Sequence, residues 1–456
     1  MKMNSLKMLS LLSGVAVLGS LTAQAQDKAT LDLLVKKNVI TQDEATALAK
    51  TTATPAIVTG PKDQANVKGL KIEGLFQSQF DWISTDDKAA GAHNPPAVEQ
   101  FFIRRAYLGA TVDMGNGWNG EIFFDFAAGT GANGGAQGGT ARNNFEKIII
   151  SKKFDDYDGT LTTGYQKVNF TLEEVTSSAA VKPIERSVLT RYIDEQYNGG
   201  NTTQRLGFAN QHTGIFWDGK IGDTGITYSA AVTTGIQDSV SYATTGGFNR
   251  LAEWASLAYG DSSNANLTYK TGVNFGISQD ANSVTGTLAP PPAVVSQANS
   301  MWGFNPYVTF TYDKAFQLDA EYIYVSVDRG RGPAGATAGV PNQGRAQPNG
   351  FNITPSYMIN DQWEVVARYS YLGTNGRGTN IADVARNGAN IGATVFDNVD
   401  SWYVGLNYYI LKNAVKFSLG YEYDEFTGRG AASAPAGFTG AKANVSGFRA
   451  RMQMAF

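Results

Sequence analysis

The chain has 456 residues, of which 51 are glycine, and only 17% of its residues are charged, below the roughly 25% of soluble domains. It contains no cysteine and two histidines, which excludes disulfide frameworks and thiolate metal sites and leaves little basis for a histidine-dependent catalytic or metal site. The formal net charge of -3 offers no basic patch for a nucleic acid. We therefore expect no cofactor, no bound metal and no nucleic-acid partner.

The first 25 residues have the pattern of a secretory signal peptide. Lys2 and Lys7 form a positive start, an apolar stretch covers residues 8–21, and Ala23-Gln24-Ala25 is a cleavage site of the A-x-A type. An uncleaved membrane anchor would need a longer apolar run. We expect cleavage after Ala25, so that the mature chain begins at Gln26.

Residues 26–67 have the features of a short helical segment followed by a linker. Thr30 can cap a first helix, and Thr41 with Glu44 forms a capping box for a second. Residues 51–67 are polar and contain two prolines. We predict a periplasmic helical segment without chemistry of its own.

From Gly69 onward the hydrophobic pattern changes to a period of two. In the first such stretch, the residues Leu70, Ile72, Phe76, Phe80 and Trp82 alternate with Lys71, Glu73, Gln77, Gln79 and Asp81. Only every second residue of a membrane strand faces lipid, which explains a mean hydropathy as low as -0.23. The pattern predicts strands with one face in lipid and the other in a wet lumen.

About 16 such segments follow one another, and the connections between them alternate between long and short. We predict strands near 69–82, 101–113, 117–127, 144–154, 159–169, 205–218, 223–235, 250–259, 266–277, 301–312, 316–327, 349–359, 362–373, 399–409, 414–426 and 442–456. Outer-membrane barrels have short periplasmic turns and long outer loops. The predicted fold is an all-β, antiparallel transmembrane β-barrel of about 16 strands over residues 68–456. Aromatic residues near strand ends suit its two interfacial girdles: Trp82, Tyr157, Trp217, Trp254, Trp302, Tyr312, Trp363, Trp402 and Tyr409.

Several stretches resemble the phosphate-selective porin O/P family. They are Ile103-Arg104-Arg105-Ala106-Tyr107-Leu108-Gly109, the block from Gly164 to Ser178 with Ile184-Glu185-Arg186-Ser187, and the closing Arg451-Met452-Gln453-Met454-Ala455-Phe456. The resemblance implies a trimeric, 16-stranded barrel with a constriction loop and a basic lumen favouring anions. Phosphate-selective members line the constriction with lysines, whereas this chain has Glu173 and Glu174 in the corresponding block. It therefore favours a porin more strongly than it favours phosphate selectivity.

The third long connection, residues 170–204, is our candidate for the constriction loop because it is much longer than an ordinary loop. Its candidate site residues are Glu173, Glu174, Ser177, Ser178, Lys182, Glu185 and Arg186. The alternative is an outer loop that packs against a neighbouring subunit.

The period of two also predicts which charged residues line the pore. The predicted inward bases are Lys71, Arg105, Lys270, Arg368, Lys416, Arg449 and Arg451, and the predicted inward acids are Glu73, Asp81, Glu121, Asp125, Glu253, Asp319, Glu321, Glu364 and Glu422. Closure of the barrel would bring Lys71, Arg105, Lys416, Arg449 and Arg451 onto four adjacent strands as a basic wall. Alternatively, these bases pair with Glu73 and Glu422. Tyr107 shares the face of Arg105 and could donate to an oxyanion.

The sequence thus predicts an outer-membrane porin for passive diffusion of small polar solutes, with at most a modest preference for anions such as phosphate. Its expected partners are outer-membrane lipid, small anions or other polar solutes, and two further copies of the chain in a homotrimer. One alternative is a structural or adhesive barrel. Another is an outer-membrane barrel enzyme, for which only His93 and His212 offer a catalytic histidine.

Overall fold

The structure, a computed structural model, describes residues 36, 41, 67–88, 94–127, 145–195, 205–235, 251–264, 266–278, 284–288, 293–297, 300–328, 345–389, 396–428 and 442–456. The chain divides into two compact units, Met1–Asn66 and Val67–Phe456. Apart from Lys36 and Thr41, the predicted signal peptide, helical segment and linker up to residue 66 lie outside the described residues. Among those residues, no helix is long and apolar enough to cross a membrane.

Sixteen antiparallel strands among the described residues close into a single barrel. All strands in chain order are β1 (Gly69–Asp87), β2 (Val98–Gly115), β3 (Trp118–Asp125), β4 (Phe145–Phe154), β5 (Gly159–Lys167), β6 (Gln211–Lys220), β7 (Ile226–Thr234), β8 (Leu251–Asn264), β9 (Leu267–Ser278), β10 (Val284–Leu288), β11 (Ala293–Gln297), β12 (Met301–Tyr312), β13 (Phe316–Val327), β14 (Asn349–Met358), β15 (Trp363–Gly373), β16 (Asn398–Leu411), β17 (Val415–Thr427) and β18 (Ala443–Ala455). Each barrel strand pairs with its sequence neighbours, and β10 and β11 form a separate hairpin, so that β9 pairs with β12. The fold prediction is confirmed.

Beyond residue 66, the helices among the described residues are short and lie in the connections. They are α1 (Leu172–Val175), α2 (Val188–Asp194) and α3 (Ile381–Val384), and a 3-10 turn covers Asp155–Tyr157. The connections alternate between short and long as predicted. In the short turn between β12 and β13, Asp313 and Lys314 both have positive φ, at 52° and 55°, which matches the tight hairpins that the right-handed twist of paired strands favours.

The two faces of the barrel wall follow the predicted alternation on the first and last strands. On β1, Gln77 and Asp81 are fully buried on the inner face, whereas Phe76 and Trp82 are exposed on the outer face. On β18, the inward Arg449, Arg451 and Gln453 alternate with the outward Phe448, Met452 and Met454.

Three predicted side-chain directions are wrong. Trp254 and Tyr409 point inward rather than to an interfacial girdle, and Glu253 lies on the outer face with Leu251 and Leu257. The reason is that the Trp254 ring packs against Phe208 at 5.2 Å between ring centroids. The inner wall is apolar at this position, so the prediction that Glu253 points inward is wrong.

The apolar surface inside the barrel extends well beyond Trp254. Inward residues near the long-connection ends of several strands are buried in one cluster with the connections that fold over them. This cluster includes Ile83, Met301, Val325, Val327, Leu372, Val399, Phe426 and Val445 from the strands and Leu189, Ile193 and Val384 from the connections. The expectation of a uniformly wet lumen is therefore wrong for this half of the barrel, because packed connections occupy it.

Pairing of β1 with β18 closes the barrel, from Leu75 opposite Ala455 to Asp87 opposite Ala443. Phe456 extends this seam: its N–H donates to the Gly74 carbonyl at 3.1 Å and its carbonyl accepts from the Gly74 N–H at 2.9 Å. The Phe456 ring lies over Gly74, where an added Cβ would be only 2.4 Å from ring carbon Cζ. The end of the chain thus completes the seam on the lipid-facing side.

We expect that deleting Phe456 lowers the fraction of protein that folds into the barrel. The deletion removes two backbone hydrogen bonds, a loss of about 1–3 kcal/mol, and uncovers Gly74. Phe456→Ala is the matched control, since it removes the ring and keeps both backbone bonds. Gel mobility of unheated and heated samples measures the folded fraction, and normal assembly of the deletion variant would contradict this role.

Candidate functional site

The connection between β5 and β6 folds into the barrel, and we call its described residues 168–195 and 205–210 the first inner loop. Its apolar side chains pack on the inner wall: Phe170, Leu189, Tyr192, Leu206 and Phe208 are almost completely buried. The segment after residue 204 belongs to this loop rather than to β6, because the Leu206 N–H donates to the Tyr192 carbonyl at 2.7 Å. The predicted strand start at residue 205 is therefore wrong, and β6 begins at Gln211.

The start of the first inner loop is held by one carboxylate on the wall. Glu321 of β13 accepts from the backbone N–H of Leu172 at 2.8 Å and of Glu173 at 3.3 Å. Asn305 and Asn352 each donate to the same carboxylate at 3.0 Å. A negative group at exposed N–H groups of a helix start is favourable, so Glu321 fixes the position of α1.

The middle of the first inner loop lies along the inner wall formed by β15, β16, β17, β18 and β1. Its backbone carbonyls accept from inward side chains of these strands: Ser178 from Gln77 at 3.2 Å, Ala179 from Gln453 at 3.1 Å, Val181 from Lys416 at 3.0 Å and Lys182 from Asn407 at 3.1 Å. The loop thus covers this side of the lumen. Among the described residues, a cavity lies between α1 and the opposite wall of β4 to β9, which we call the uncovered wall.

Glu185 joins the first inner loop to the wall through several arginines. Its carboxylate lies 2.8 Å from Arg104 Nε, 2.7 Å from Arg451 Nη2 and 2.9 Å from Arg386 Nε. Burial alone would raise the pKa of Glu185, but these three guanidinium groups outweigh it and hold the pKa well below its usual range. A lowered pKa keeps the charged form at neutral and mildly acid pH, so these contacts are lost only as the pH falls through the lowered value.

A β-bulge supplies one of the arginines that the alternation rule missed. Gln77 pairs with Arg105, but the next residue, Ser78, pairs with Ile103. Arg104 is therefore an extra residue on β2. Both Arg104 and Arg105 turn inward, where Arg104 contacts Glu185 and Arg105 donates to Gln77 at 2.9 Å. The sequence signal was the adjacent arginine pair. In a regular strand, neighbouring side chains point to opposite faces. Two adjacent arginines can therefore both face the lumen only at an irregularity such as a bulge.

The connection between β15 and β16 also folds inward, and we call its described residues 374–389 the second inner loop. Arg386 contacts Glu195 at 3.0 Å as well as Glu185. Tyr192 of α2 donates to the Gly378 carbonyl at 3.3 Å, and the Ala389 N–H donates to Thr85 of β1 at 3.1 Å. The alternation of connections predicted only that this one would be long. Its contacts show that it supports α2 of the first inner loop.

Four of the five predicted wall bases come together, and one does not. Lys416 of β17 and Arg449 and Arg451 of β18 lie on adjacent strands, and Arg105 of β2 lies beyond the intervening β1. All four are 2–6% exposed. Lys71 lies nearer the short turns, opposite Thr111, where its largely exposed side chain pairs with Glu73 at 2.5 Å. The predicted open basic wall is therefore wrong in this form, since the four clustered bases are buried beneath the two inner loops.

Two of the four clustered bases, Arg449 and Arg451, are paired with carboxylates. Arg105 donates to Gln77 and Lys416 to the Val181 carbonyl instead. Arg449 contacts Glu422 at 2.6 Å, and Arg368 contacts Glu422 at 2.8 Å and Glu173 at 2.9 Å. This is the pairing with Glu422 that the sequence analysis left open. Tyr107 lies beside Arg105 as predicted, and its hydroxyl accepts from Arg105 Nε at 3.1 Å.

The remaining predicted loop residues also make contacts inside the barrel. Glu174 contacts Lys167 at 2.7 Å and Arg186 at 2.9 Å. Lys182 contacts Glu364 at 2.7 Å, and Ser177 accepts from the Ala179 N–H at 3.4 Å. Since these partners lie within one chain, the loop folds inward without needing a neighbouring subunit.

Two cavities lie in the half of the barrel with the short turns, and both reach Leu172. The larger cavity, of about 520 Å³, is lined by inward residues of β4 to β9 and β12. The smaller cavity, of about 350 Å³, lies against β12, β13 and β14 and contains Glu173, Lys182, Asp319 and Glu321. Within the part of the chain that the structure describes, no group of three or more histidine or acidic residues is arranged to hold a metal ion.

A closed 16-stranded barrel with an inward loop and solute-sized cavities suits a channel, and sequence comparison decides its family. The family profile described as phosphate-selective porin O and P matches residues 76–456. The chain belongs to this family. No curated protein sequence matches it.

Solved structures share the fold of this porin. The outer-membrane channel DcaP of Acinetobacter baumannii is 13% identical with a TM-score of 0.50, covering 87% of this chain and 99% of that chain. The anion-selective porin from Comamonas acidovorans is 12% identical with a TM-score of 0.51, covering 85% and 99%. The protein is an outer-membrane porin that forms a channel for small polar solutes, as its sequence predicted.

We expect Arg386→Gln to loosen the first inner loop without opening the barrel. The substitution removes the positive charge of the second inner loop that contacts both Glu185 and Glu195 of the first. Removing one partner of a buried ion pair lowers stability by about 3–5 kcal/mol. Single-channel recording should show larger fluctuations of the open-channel current. Arg345→Gln is the control, because Arg345 pairs with Asp328 on an exposed surface. If the folded Arg386→Gln variant shows no increase in the fluctuations of the open-channel current, the second inner loop does not hold the first in place.

Proposed function

We propose that solutes pass between the first inner loop and the uncovered wall, with weak discrimination between anions and cations. The observation that supports this is the balance of buried charge. Among the described residues, ten cationic and eight acidic side chains are buried. The cations are Arg105, Arg186, Arg191, Arg205, Arg368, Arg377, Arg386, Lys416, Arg449 and Arg451, and the acids are Asp81, Glu174, Glu185, Asp194, Glu321, Glu364, Glu422 and Asp424.

Paired charges produce only a weak field at a distance. An ion in the lumen near Arg449 also meets the carboxylate of Glu422, and one near Arg451 also meets Glu185. The uncovered wall carries mixed charge too, because Lys153 is 2.9 Å from Asp155 and Lys220 is 3.5 Å from Asp158. We therefore infer at most a modest anion preference, which salt screens further, and no specific phosphate site at the covered wall.

We also propose the export and assembly steps that the sequence predicted. Residues 1–25 are a signal peptide cleaved after Ala25, residues 26–67 form a periplasmic helical segment and linker, and the barrel assembles as a homotrimer. The porin family and its outer-membrane localisation support export. Apolar and aromatic side chains on the barrel's outer face, such as Phe101 at 80% exposure, fit contact with lipid or with another copy of the chain.

Replacing residues 177–181 by Gly-Gly should widen the passage and uncover cations at the same time. Their carbonyls now accept from Gln77, Gln453 and Lys416. We expect a higher single-channel conductance and, at low salt, a reversal potential shifted toward anions. In the unaltered protein, a tenfold salt gradient should give a potential small compared with the roughly 59 mV of an ideally selective channel.

The control for this replacement is a Gly-Gly exchange of Asn360 and Asp361, in a short turn outside the lumen. A loop variant that folds but keeps both the original conductance and the original reversal potential would place the limiting passage elsewhere. The same recordings address the alternative classes, because a structural or adhesive barrel should conduct little.

The mass of protein purified from outer membranes should correspond to a chain that starts at Gln26. The A-x-A site and the positive start of the segment motivate this expectation. Mass spectrometry of the intact protein is the measurement. A mass that includes residues 1–25 would rule out the cleavage.

A further inference from the structure

The larger cavity combines one cation without a carboxylate partner with apolar side chains, and neither feature is needed for a simple aqueous passage. Lys270 of β9 is exposed on the inner wall, with its Nζ 5.9 Å from the centroid of the Tyr307 ring. Among the described residues, no carboxylate lies within ion-pair distance of Lys270. The other two lysines of the cavity, Lys153 and Lys220, are paired with aspartates.

The apolar side of the cavity comes from α1 and from the wall beside Lys270. Leu172 and Val175 of α1 line the cavity, and Val175 is 38% exposed although it lies inside the barrel. Tyr307 lies over Gly272, where an added Cβ would be 2.7 Å from the tyrosine hydroxyl. The glycine thus lets an aromatic ring lie along the inner wall, with Ala258 beside it on β8.

The cavity is also fixed in position. Asn274 of β9, four residues from Lys270, donates to the carbonyl of Phe170 at the start of the first inner loop. Glu321 holds the first two backbone N–H groups of α1. Because both contacts join the loop to the wall, the apolar side chains of α1 keep their place opposite Lys270.

We propose that the larger cavity binds small organic anions that carry an apolar body. Lys270 contacts the anionic group, and Leu172, Val175 and the Tyr307 ring contact the apolar part. The inference rests on the proposed diffusion function and adds a solute class to it. Inorganic phosphate has the charge but no apolar body, so it gains nothing from α1.

The acids near the cavity oppose this binding only weakly. Asp218 accepts from Asn169 at 3.1 Å and lies on β6, separated from β9 by β7 and β8. Asp158 lies in the turn between β4 and β5 and pairs with Lys220. Asp319 of β13 is in register with Lys270 through Thr309 of β12 and lies two strands away. None of these carboxylates pairs with Lys270, so the local charge there is positive.

The test compares three probes in planar bilayers with the purified full-length protein: benzoate, acetate and inorganic phosphate. A bound solute interrupts the chloride current, and the concentration that halves the current measures its binding. We expect benzoate to act at a concentration about fivefold or more below acetate, since burying a few CH groups contributes on the order of 1 kcal/mol.

Variants separate the charge from the apolar contact. Lys270→Gln should weaken benzoate and acetate together by about tenfold, the effect of one lost charge-assisted contact. Val175→Thr keeps the side-chain shape and Val175→Ser shortens it, and both should remove most of the advantage of benzoate over acetate while leaving phosphate unchanged. Lys412→Gln is the matched control, because that lysine is exposed in the short turn between β16 and β17 and does not line the cavity.

The outcomes distinguish this inference from the proposed function. Two results in a channel of normal conductance would overturn the inference alone. One is that benzoate and acetate act at equal concentrations, and the other is that both Val175 variants keep the preference for benzoate. Protein that folds but does not conduct overturns the proposed function and this inference with it.

Discussion

The structure depends on one constraint, that no backbone N–H or C=O group may face hydrocarbon without a partner. Sixteen paired strands satisfy this constraint only because β1 pairs with β18, which leaves the sheet without an edge. Closure then determines what faces the lumen. It places Gln79 opposite Arg451 and Asp81 opposite Arg449, residues that are more than 360 positions apart in the sequence.

Inside this wall, apolar packing and ion pairs have different roles. The cluster around Leu189, Tyr192 and Phe208 buries the inner loops against the wall, and this burial is the main favourable term. The ion pairs of Glu185 and Glu173 with wall arginines specify where the loop lies, because any displacement would leave buried guanidinium groups without a counter-charge. The passage that remains is therefore set by a loop fixed at several points, and its wall charge is largely neutralised.

Much of the barrel could be predicted because strand faces obey a local rule. The alternation of Phe76 and Trp82 with Gln77 and Asp81 required only the sequence, and the sorting of long and short connections gave the strand order. The family resemblance and the inward constriction loop were also accessible from residues such as the block from Gly164 to Ser178.

The contents of the lumen could not be predicted in the same way, because they depend on contacts between distant segments. Arg104 escaped the alternation rule because a bulge adds one residue to β2. The direction of Glu253 failed because Trp254 meets Phe208 from a remote loop. Pairing rules identified Arg105, Arg449 and Arg451 as neighbours, but nothing local showed that the first inner loop would cover them.

We propose that the first inner loop covers one side of the lumen and that the other side is the passage. Since the chain has no cysteine, single cysteines can report on both sides with a charged thiol reagent during channel recording. Ser256→Cys lies in the larger cavity on the uncovered wall, whereas Ser418→Cys lies on the covered wall and is 2% exposed. We expect rapid modification with a fall in current for Ser256→Cys and no modification of Ser418→Cys. Equal modification of both, or modification of Ser418→Cys alone, would contradict it.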